Sequence, residues 1–140
     1  MTNQDLTFPY RYYYLPHIGK VFVPSITLKL QTKNGPVDFD FIVDTGADLT
    51  TIPKFIAEQM GIDLSHLPTS VAEGLGGFRV KTWLASIDLH FENTLITVRA
   101  SVTDENSTPP LLGRVDLLDK LFNWHFDSHQ KKIVFESLMR

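Results

Sequence analysis

The stretch that decides how this chain folds is Phe39-Asp40-Phe41-Ile42-Val43-Asp44-Thr45-Gly46-Ala47. Its apolar residues predict a strand that leads directly into an Asp-Thr-Gly turn, and residues 49–52, which begin and end with an apolar side chain, predict another strand. The simplest interpretation is an ordinary turn, because Asp and Gly are common turn residues. A turn between two buried strands is itself expected to be largely buried, however, and burying a lone carboxylate is costly unless a partner compensates.

Asp44 is therefore the first candidate for chemistry. A carboxylate on a tight turn can hold and polarise a water molecule if a second carboxylate faces it. Gly46 permits close approach of the backbone, and the Thr45 hydroxyl can anchor the turn. The chain contains the Asp-Thr-Gly sequence once, so a second copy has to come from another chain.

Composition and length narrow the class of protein. The 140 residues, 43% of them apolar and 21% charged, fit one globular domain with a sizeable core. There is no cysteine, which excludes disulfides and cysteine-based zinc sites, and the net charge of −3 gives no reason to expect nucleic acid or an anionic membrane as a partner. No apolar run approaches the ~18 residues of a membrane span. The first five residues lack the pattern of a secretion signal, so we expect a cytoplasmic protein.

The order of predicted elements indicates a mostly-β protein. Residues 1–20, which are rich in proline and aromatic side chains, predict an extended N-terminal arm, and residues 21–140 a single domain. Many short strands with one or two short helices predict a barrel-like fold. Besides the strands around the turn, we expect strands at 21–31, 71–73, 78–84, 86–91, 95–102, 123–126 and 132–135, and helices at 53–60 and 115–122.

A glycine-rich segment, Gly74-Leu75-Gly76-Gly77-Phe78, lies between two of these strands. The simplest interpretation is a flexible hairpin. It does not fit a dinucleotide-binding loop, because Arg79 stands where the last glycine is required and no helix follows. The functional alternative is a mobile lid, since three glycines lower the cost of reshaping the backbone.

The third segment with unusual character is Leu111-Leu112-Gly113-Arg114. Two apolar residues and a glycine are typical of a buried strand end. A charged side chain beside such a segment usually has a fixed partner. Asp48, just after the Asp-Thr-Gly turn, is the partner we expect for Arg114.

Together these three segments resemble the retropepsin family of aspartic proteases, which includes the retroviral proteases and similar domains in cellular proteins. The segments occur in the family's order, over residues 39–122. The resemblance implies an acid-protease barrel in which each chain supplies one lobe of a homodimer. It further implies that Asp44 is the catalytic aspartate, that Thr45 forms a hydrogen bond across the subunits, and that Gly46 and Ala47 support the turn. Residues 74–78 would form a substrate-binding flap, and residues 111–113 would pack behind the turn. Arg114 and Asp48 would form an ion pair that braces the dimer.

The implied activity is that of an aspartic endopeptidase acting on an extended peptide or protein substrate. Two Asp44 carboxylates, one from each subunit, share a proton and titrate as a pair. The ionised one takes a proton from water, which attacks the peptide carbonyl, while the protonated one donates to the carbonyl oxygen. This chemistry requires no metal and no organic cofactor. His125 and His129, four residues apart in predicted strand and turn, do not suggest a metal site.

Two other functions remain open. A catalytically silent dimer of the same fold could serve as a peptide-binding or dimerisation module, although an intact Asp-Thr-Gly turn argues against such decay. An unrelated small β-barrel with a chance match would lack paired Asp44 turns.

The arm also contains a Phe8–Pro9 bond that resembles those that retroviral proteases cut. Two fates of the arm are therefore open: the enzyme removes it, or it lies over the cleft or the dimer interface.

The chain departs from the retroviral pattern in three places. The arm is longer than in minimal viral enzymes, residues 53–68 resemble an insertion found in cellular and bacterial relatives, and the predicted hairpin at 127–135 extends beyond the usual end. Retroviral dimers interlock their termini. The sequence therefore leaves open how two of these chains would join.

Overall fold

The structure is a computed structural model that describes residues 4–118 and 120–139, with the side chain of Leu75 left out. The described residues are mostly in strands, with one short helix. These elements are β1 (Leu6–Pro9), β2 (Arg11–Leu15), β3 (Gly19–Val23), β4 (Ser25–Thr32), β5 (Gly35–Val43), β6 (Thr50–Pro53), α1 (Lys54–Gln59), β7 (Thr69–Glu73), β8 (Arg79–Phe91), β9 (Thr94–Thr103), β10 (Leu111–Leu112), β11 (Phe122–Asp127) and β12 (Lys132–Ser137).

Seven of these strands form the main sheet, in the order β4-β5-β10-β6-β9-β8-β7. Strand β4 also pairs with β8 through Lys29 and His90, which closes the sheet into a ring. The predicted mostly-β, barrel-like domain is therefore confirmed. Alternation along the strands places one side of each inside the ring, and fully buried side chains from four strands, for example Leu28, Phe41, Leu89 and Val98, meet there.

Both ends of the described chain join a second sheet of three strands, in the order β1-β12-β11. The described part of the arm is extended, and it contains the paired strand β1. Phe8 lies opposite Ile133 on β12, and its ring contacts that of Phe135 at 5.5 Å between centroids. The Phe8–Pro9 bond thus lies within a paired strand rather than in a free arm. Strands β2 and β3 form a separate two-stranded hairpin.

The helix expected at 115–122 was wrong. In the described part of this segment the chain makes hydrogen-bonded turns: the Leu117 and Leu118 N–H groups donate to the Arg114 carbonyl, and Leu121 donates to the Leu117 carbonyl. Asp116 has a φ of +70°, outside the helical region. Its carboxylate accepts hydrogen bonds from the Arg99 backbone and guanidinium, and this long-range tie outweighs the local helical pattern.

Smaller differences from the predicted elements have local causes. The strand expected at 21–31 is interrupted at Pro24, so it becomes β3 and β4. The strands expected at 78–84 and 86–91 are one continuous strand, β8, because no residue between them breaks the pairing with β9. The helix expected at 53–60 is confirmed as α1. Pro53 caps its start, and Gly61 follows its end at a φ of +78°.

In residues 4–118 and 120–139, no helix has both the length and the apolar character that crossing a membrane requires.

Candidate active site

Asp44 lies directly after β5, at the start of the Asp-Thr-Gly turn. The Ala47 N–H donates to the Asp44 carbonyl at 3.2 Å, and the Gly46 N–H donates to Asp44 Oδ1 at 2.9 Å. One carboxylate oxygen is therefore held by the turn itself. Among the described residues Asp44 Oδ2 has no hydrogen-bond partner, so it is available to a water molecule or a second carboxyl group.

The turn is more exposed than the sequence predicted. Asp44 is half-buried, and Thr45 and Gly46 are exposed. The expectation of a largely buried turn was wrong for the single chain, because β6 begins only at Thr50 and the residues between the strands lie at the surface. Within the described part of the chain, the Thr45 hydroxyl has no hydrogen-bond partner. The turn therefore presents a carboxylate and an unpaired hydroxyl to the outside.

Strand β10 and the residue after it lie behind this turn. Strand β10 runs parallel to β5, with Leu112 opposite Val43. The Leu112 carbonyl accepts the Asp44 N–H at 3.0 Å. Gly113 passes so close to the backbone that a Cβ placed on it would lie 2.3 Å from the Leu49 carbonyl carbon. Its N–H donates to the buried Thr50 hydroxyl at 3.2 Å. Only glycine fits this position without a shift of the main chain.

Arg114 holds the far side of the turn. Its N–H donates to the Ala47 carbonyl at 3.0 Å, and its Nη1 donates to the Thr45 carbonyl at 2.7 Å. Its Nη2 forms an ion pair with Asp48 Oδ1. The structure thus brings Arg114 and Asp48 together, as the sequence suggested. It adds the bond to the Thr45 carbonyl, for which the sequence contains no local signal.

Asp116 continues this frame and was missed at the sequence level. Both of its oxygens bond to the Arg99 guanidinium at 3.0 Å, and Oδ2 also accepts the Arg99 N–H at 2.9 Å. Hydrogen bonds from Arg99 hold the pKa of the Asp116 carboxyl well below its usual range, with a smaller contribution from Lys120. The segment that carries Gly113 and Arg114 is therefore itself anchored to β9.

The glycine-rich segment forms the tip of the β7–β8 hairpin. The Gly74 N–H donates to the Phe78 carbonyl at 2.9 Å, and Gly76 and Gly77 have φ angles of +83° and +80° that favour glycine. Phe78 is 75% exposed. Every residue of β7 is exposed, and among the described strands β7 pairs only with β8. The hairpin therefore projects from the barrel.

A cavity of about 270 Å³ lies between the active-site turn and the base of this hairpin. Its lining includes Leu49, which follows the turn, and Pro68 and Trp83 near the base of the hairpin. The lining is mostly apolar and suits an apolar side chain. Cavities of about 330 and 440 Å³ lie elsewhere, at Asp116 and at β11, so volume alone does not identify the site.

The arrangement supplies one carboxylate at the end of a strand, with a rigid frame behind it and a projecting hairpin nearby. In the described residues, no group of three or more His, Asp or Glu side chains is placed to bind a metal ion. A single carboxylate cannot hold and give up a proton at the same moment. As one chain, the site is therefore suited to be half of a two-carboxylate centre.

A family model described as aspartyl protease matches residues 26–115. Comparison with curated protein sequences gave no significant match. A retropepsin-like aspartic protease from Rickettsia conorii superposes with a TM-score of 0.62 at 18% identity, over 94% of this chain and 98% of that chain. The EIAV protease complexed with the inhibitor HBY-793 superposes with a TM-score of 0.51 at 20% identity, over 73% of this chain and 86% of that chain.

The matched region contains the Asp44 turn, the glycine-rich hairpin and the segment from Leu111 to Arg114 together. The two solved structures, at below 25% identity, show the same fold. The family match extends over more than half of the sequence and agrees with the resemblance inferred from the three motifs. The chain therefore belongs to the retropepsin-like aspartyl proteases.

Proposed function

We propose that two copies of this chain form an aspartic endopeptidase, with Asp44 from each copy meeting across a two-fold axis. The observation that carries the proposal is the state of the turn in one chain. Asp44 Oδ2 and the Thr45 hydroxyl have no hydrogen-bond partners in the described chain, while the backbone of the turn is fixed from behind by Leu112 and Arg114. A second copy supplies both missing partners.

In the proposed dimer the two Asp44 carboxyls share one proton, because two close carboxylates do not both ionise at low cost. The ionised carboxylate accepts a proton from the water molecule between them, and the water oxygen attacks the peptide carbonyl carbon. The protonated carboxyl donates to the carbonyl oxygen. A proton then passes to the leaving nitrogen as the carbon–nitrogen bond breaks. The reaction needs no metal and no cofactor.

The remaining motif residues position the reacting groups in this proposal. Thr45 bonds across the interface beneath the two carboxyls, and Arg114 holds Asp48 and the Thr45 carbonyl at the face that meets the partner. The β7–β8 hairpin acts as a flap over the substrate. Its outer strand β7 has an exposed edge, which supports pairing with an extended peptide. Phe78, at the tip, then covers the peptide and excludes water.

The test compares wild type, Asp44→Asn and Asp38→Asn on a peptide library at several pH values. Asp38 is the matched control, because it is an exposed carboxylate on the same strand that pairs with Lys29. We expect Asp44→Asn to lose at least ~10²-fold in kcat/KM, the scale of a general acid–base contribution. Asp38→Asn should match the wild type. Equal cleavage by wild type and Asp44→Asn refutes the proposal.

The same experiment decides the alternative of a silent peptide-binding dimer. Sedimentation measures whether each variant is dimeric, and fluorescence anisotropy measures peptide binding. A wild-type dimer that binds library peptides and cleaves none of them establishes the binding module. A protein that stays monomeric at all concentrations removes both candidates, since each requires two chains.

A further inference from the structure

The β2–β3 hairpin has no role in the proposed chemistry. It forms a two-stranded sheet of its own, and an isolated hairpin of this size is marginally stable in water. On one side of it Phe22 packs within the chain, while Tyr14 is exposed: the Phe22 ring stacks on Tyr10 at 3.8 Å and contacts Phe126 at 6.0 Å between centroids. The other side carries Tyr13, Leu15, Val21 and Val23, which we call the hairpin face.

The base of the hairpin is fixed beside the active-site turn. The Val43 N–H, one residue before Asp44, donates to the Pro24 carbonyl at 2.7 Å. Arg11, at the start of β2, donates to the Thr27 hydroxyl and to Asp40 Oδ1. The Thr27 hydroxyl, followed by the Arg11 guanidinium, holds the pKa of Asp40 below its ordinary value. This ionic network keeps the hairpin in a defined direction relative to β5.

The hairpin face lies on the same side of the sheet as Asp44. The Ile42 and Asp44 N–H groups both donate towards β10, so the alternation of β5 continues through Asp44 and places these two side chains on one face. Ser25 lies opposite Ile42, and the two-residue period along the preceding strand assigns Val23 and Val21 to the same side. Arg11 lies opposite Val23, and its contact with Ser25 shows that this side is continuous across Pro24.

The reach of the hairpin face matches a length of extended peptide. Strand β3 runs from Val23, beside the end of β5, to Gly19. At ~3.3 Å per residue this extends the face by about 13 Å, the length of four residues of an extended chain. Tyr13 is 48% exposed, and Leu15, Val21 and Val23 are half-buried. All four are apolar or aromatic, and the charge of Arg11 at the base is already paired.

We propose that the hairpin face binds residues of the peptide substrate that lie several positions from the scissile bond, and that it prefers apolar or aromatic side chains there. This inference rests on the proposed function, because it takes Asp44 as the point of cleavage. The occupant that fits this face by itself is a peptide, because the face is too small to hold a second copy through a separate interface. Four side chains, three of them half-buried, expose far less than the ~800 Å² per partner of a stable protein interface.

The experiment uses two library peptides with the same six central residues around the cleaved bond. The long peptide adds four residues on each side, all Leu or Phe, and the short peptide adds none. Three variants are compared with the wild type: Tyr13→Ala, Tyr13→Leu and the control Tyr14→Ala. Tyr14 is the neighbouring tyrosine, it is 75% exposed, and it points to the opposite side of the same strand.

We expect Tyr13→Ala to lower kcat/KM for the long peptide roughly five-fold, through KM, and to leave the short peptide unchanged. Tyr13→Leu should keep most of the wild-type kcat/KM for the long peptide, and Tyr14→Ala should behave as wild type with both peptides. The inference is overturned if Tyr13→Ala changes both peptides equally, or if Tyr14→Ala has the same effect. The inference is also overturned if Tyr13→Ala weakens the dimer in sedimentation experiments and changes kcat/KM equally for both peptides. The hairpin face would then be a contact between subunits.

A binding measurement separates this inference from the proposed function. The long peptide, labelled with fluorescein, is titrated with uncleaving Asp44→Asn protein, with and without Tyr13→Ala. Weaker binding by the double variant supports the hairpin face even if the wild type proves inactive. Equal binding refutes the role of the hairpin face in binding the peptide, and the cleavage assay alone then decides the proposed function. A circular dichroism spectrum and melting curve equal to wild type show that each variant is folded.

Discussion

Two turns near the proposed cleft are built in opposite ways. The turn after Asp44 is held by a second segment of chain: Leu112, Arg114 and Val115 bond to the backbone at 44, 47 and 48. The tip of the β7–β8 hairpin, in the described chain, is held only by its own strands. Both turns are exposed and rich in glycine or small residues. Exposure alone therefore does not distinguish a rigid turn from a mobile one, whereas the source of its hydrogen bonds does.

This difference agrees with the roles that we propose. A reacting carboxylate acts best when its position is fixed before the substrate arrives. A flap has to open and close, so it is drawn from the least stable part of the fold. Glycine is required at both turns, for different reasons. Gly113 allows two backbones to approach closely, while Gly76 and Gly77 allow a left-handed tip.

The largest effect is expected at the rigid turn, from Gly113→Ala. The new Cβ would lie 2.3 Å from the Leu49 carbonyl carbon, so the main chain of β10 or of the turn has to move. We expect a loss of about 3 kcal/mol or more in the free energy of unfolding, measured by urea denaturation. A loss below about 1 kcal/mol would show that the frame behind Asp44 yields easily, and the contrast between the turns would then fail.

A smaller effect is expected where the frame is anchored, from Asp116→Asn. Because Arg99 holds the pKa of Asp116 below its unfolded value of about 3.9, this carboxylate stabilises the fold above that pH and the stabilisation is lost as pH falls below it. We expect a loss of about 1 kcal/mol at pH 7, limited because Arg99 is 60% exposed to solvent.

Urea denaturation of the wild type and Asp116→Asn at a series of pH values checks this sign. The difference between the two proteins should be largest near neutral pH and should shrink below about pH 4, where Asp116 takes up a proton in the unfolded wild type while it is still ionised in the folded one. Asp38→Asn serves as the surface control. A difference that stays constant down to pH 2 would mean that the anchor acts by packing and not by charge.

The smallest effect is expected at the flexible tip, from Gly74→Ala, the same chemical change as Gly113→Ala. Gly74 has a φ of −104°, and no atom lies within 4 Å of the position that a Cβ would take, so alanine fits without strain. We expect the free energy of unfolding to rise by about 0.5 kcal/mol or less, since the unfolded chain loses freedom. If urea denaturation instead shows that Gly74→Ala is markedly less stable than the wild type, the tip of the hairpin is as rigid as the turn after Asp44.

Local features of this fold could be predicted from the sequence because neighbouring residues determine them. Strand alternation around Phe41, the helix between Pro53 and Gly61, and the glycine-rich hairpin all follow from residues close together in the chain. The pairing of β1 with β12 was not predictable, because it joins opposite ends of the sequence. The helix expected at 115–122 failed for the same reason: the tie from Asp116 to Arg99 crosses 17 residues.

The candidate site shows the same limit. The three motifs were visible as short sequences, and Asp48 was expected as the partner of Arg114 because a charge beside a buried segment usually has a fixed partner. The exposure of Thr45 and Gly46 was not predicted, since it depends on where β6 begins. The aromatic residues of the arm were visible in the sequence, but their arrangement into the hairpin face around Tyr13 was not. It arises from the register between β2 and β3 and from the fixed direction of Arg11.

The sheet formed by β1, β12 and β11 has a consequence for how the proposed activity would be controlled. One chain completes this sheet from its own two ends, and Asp5 on one end accepts the Ser137 N–H of the other at 2.9 Å. If two chains pair through Asp44 as proposed, folding and pairing are then separate equilibria. Dilution would switch cleavage off while leaving folded subunits ready to pair again, so the amount of protein present would itself set the rate.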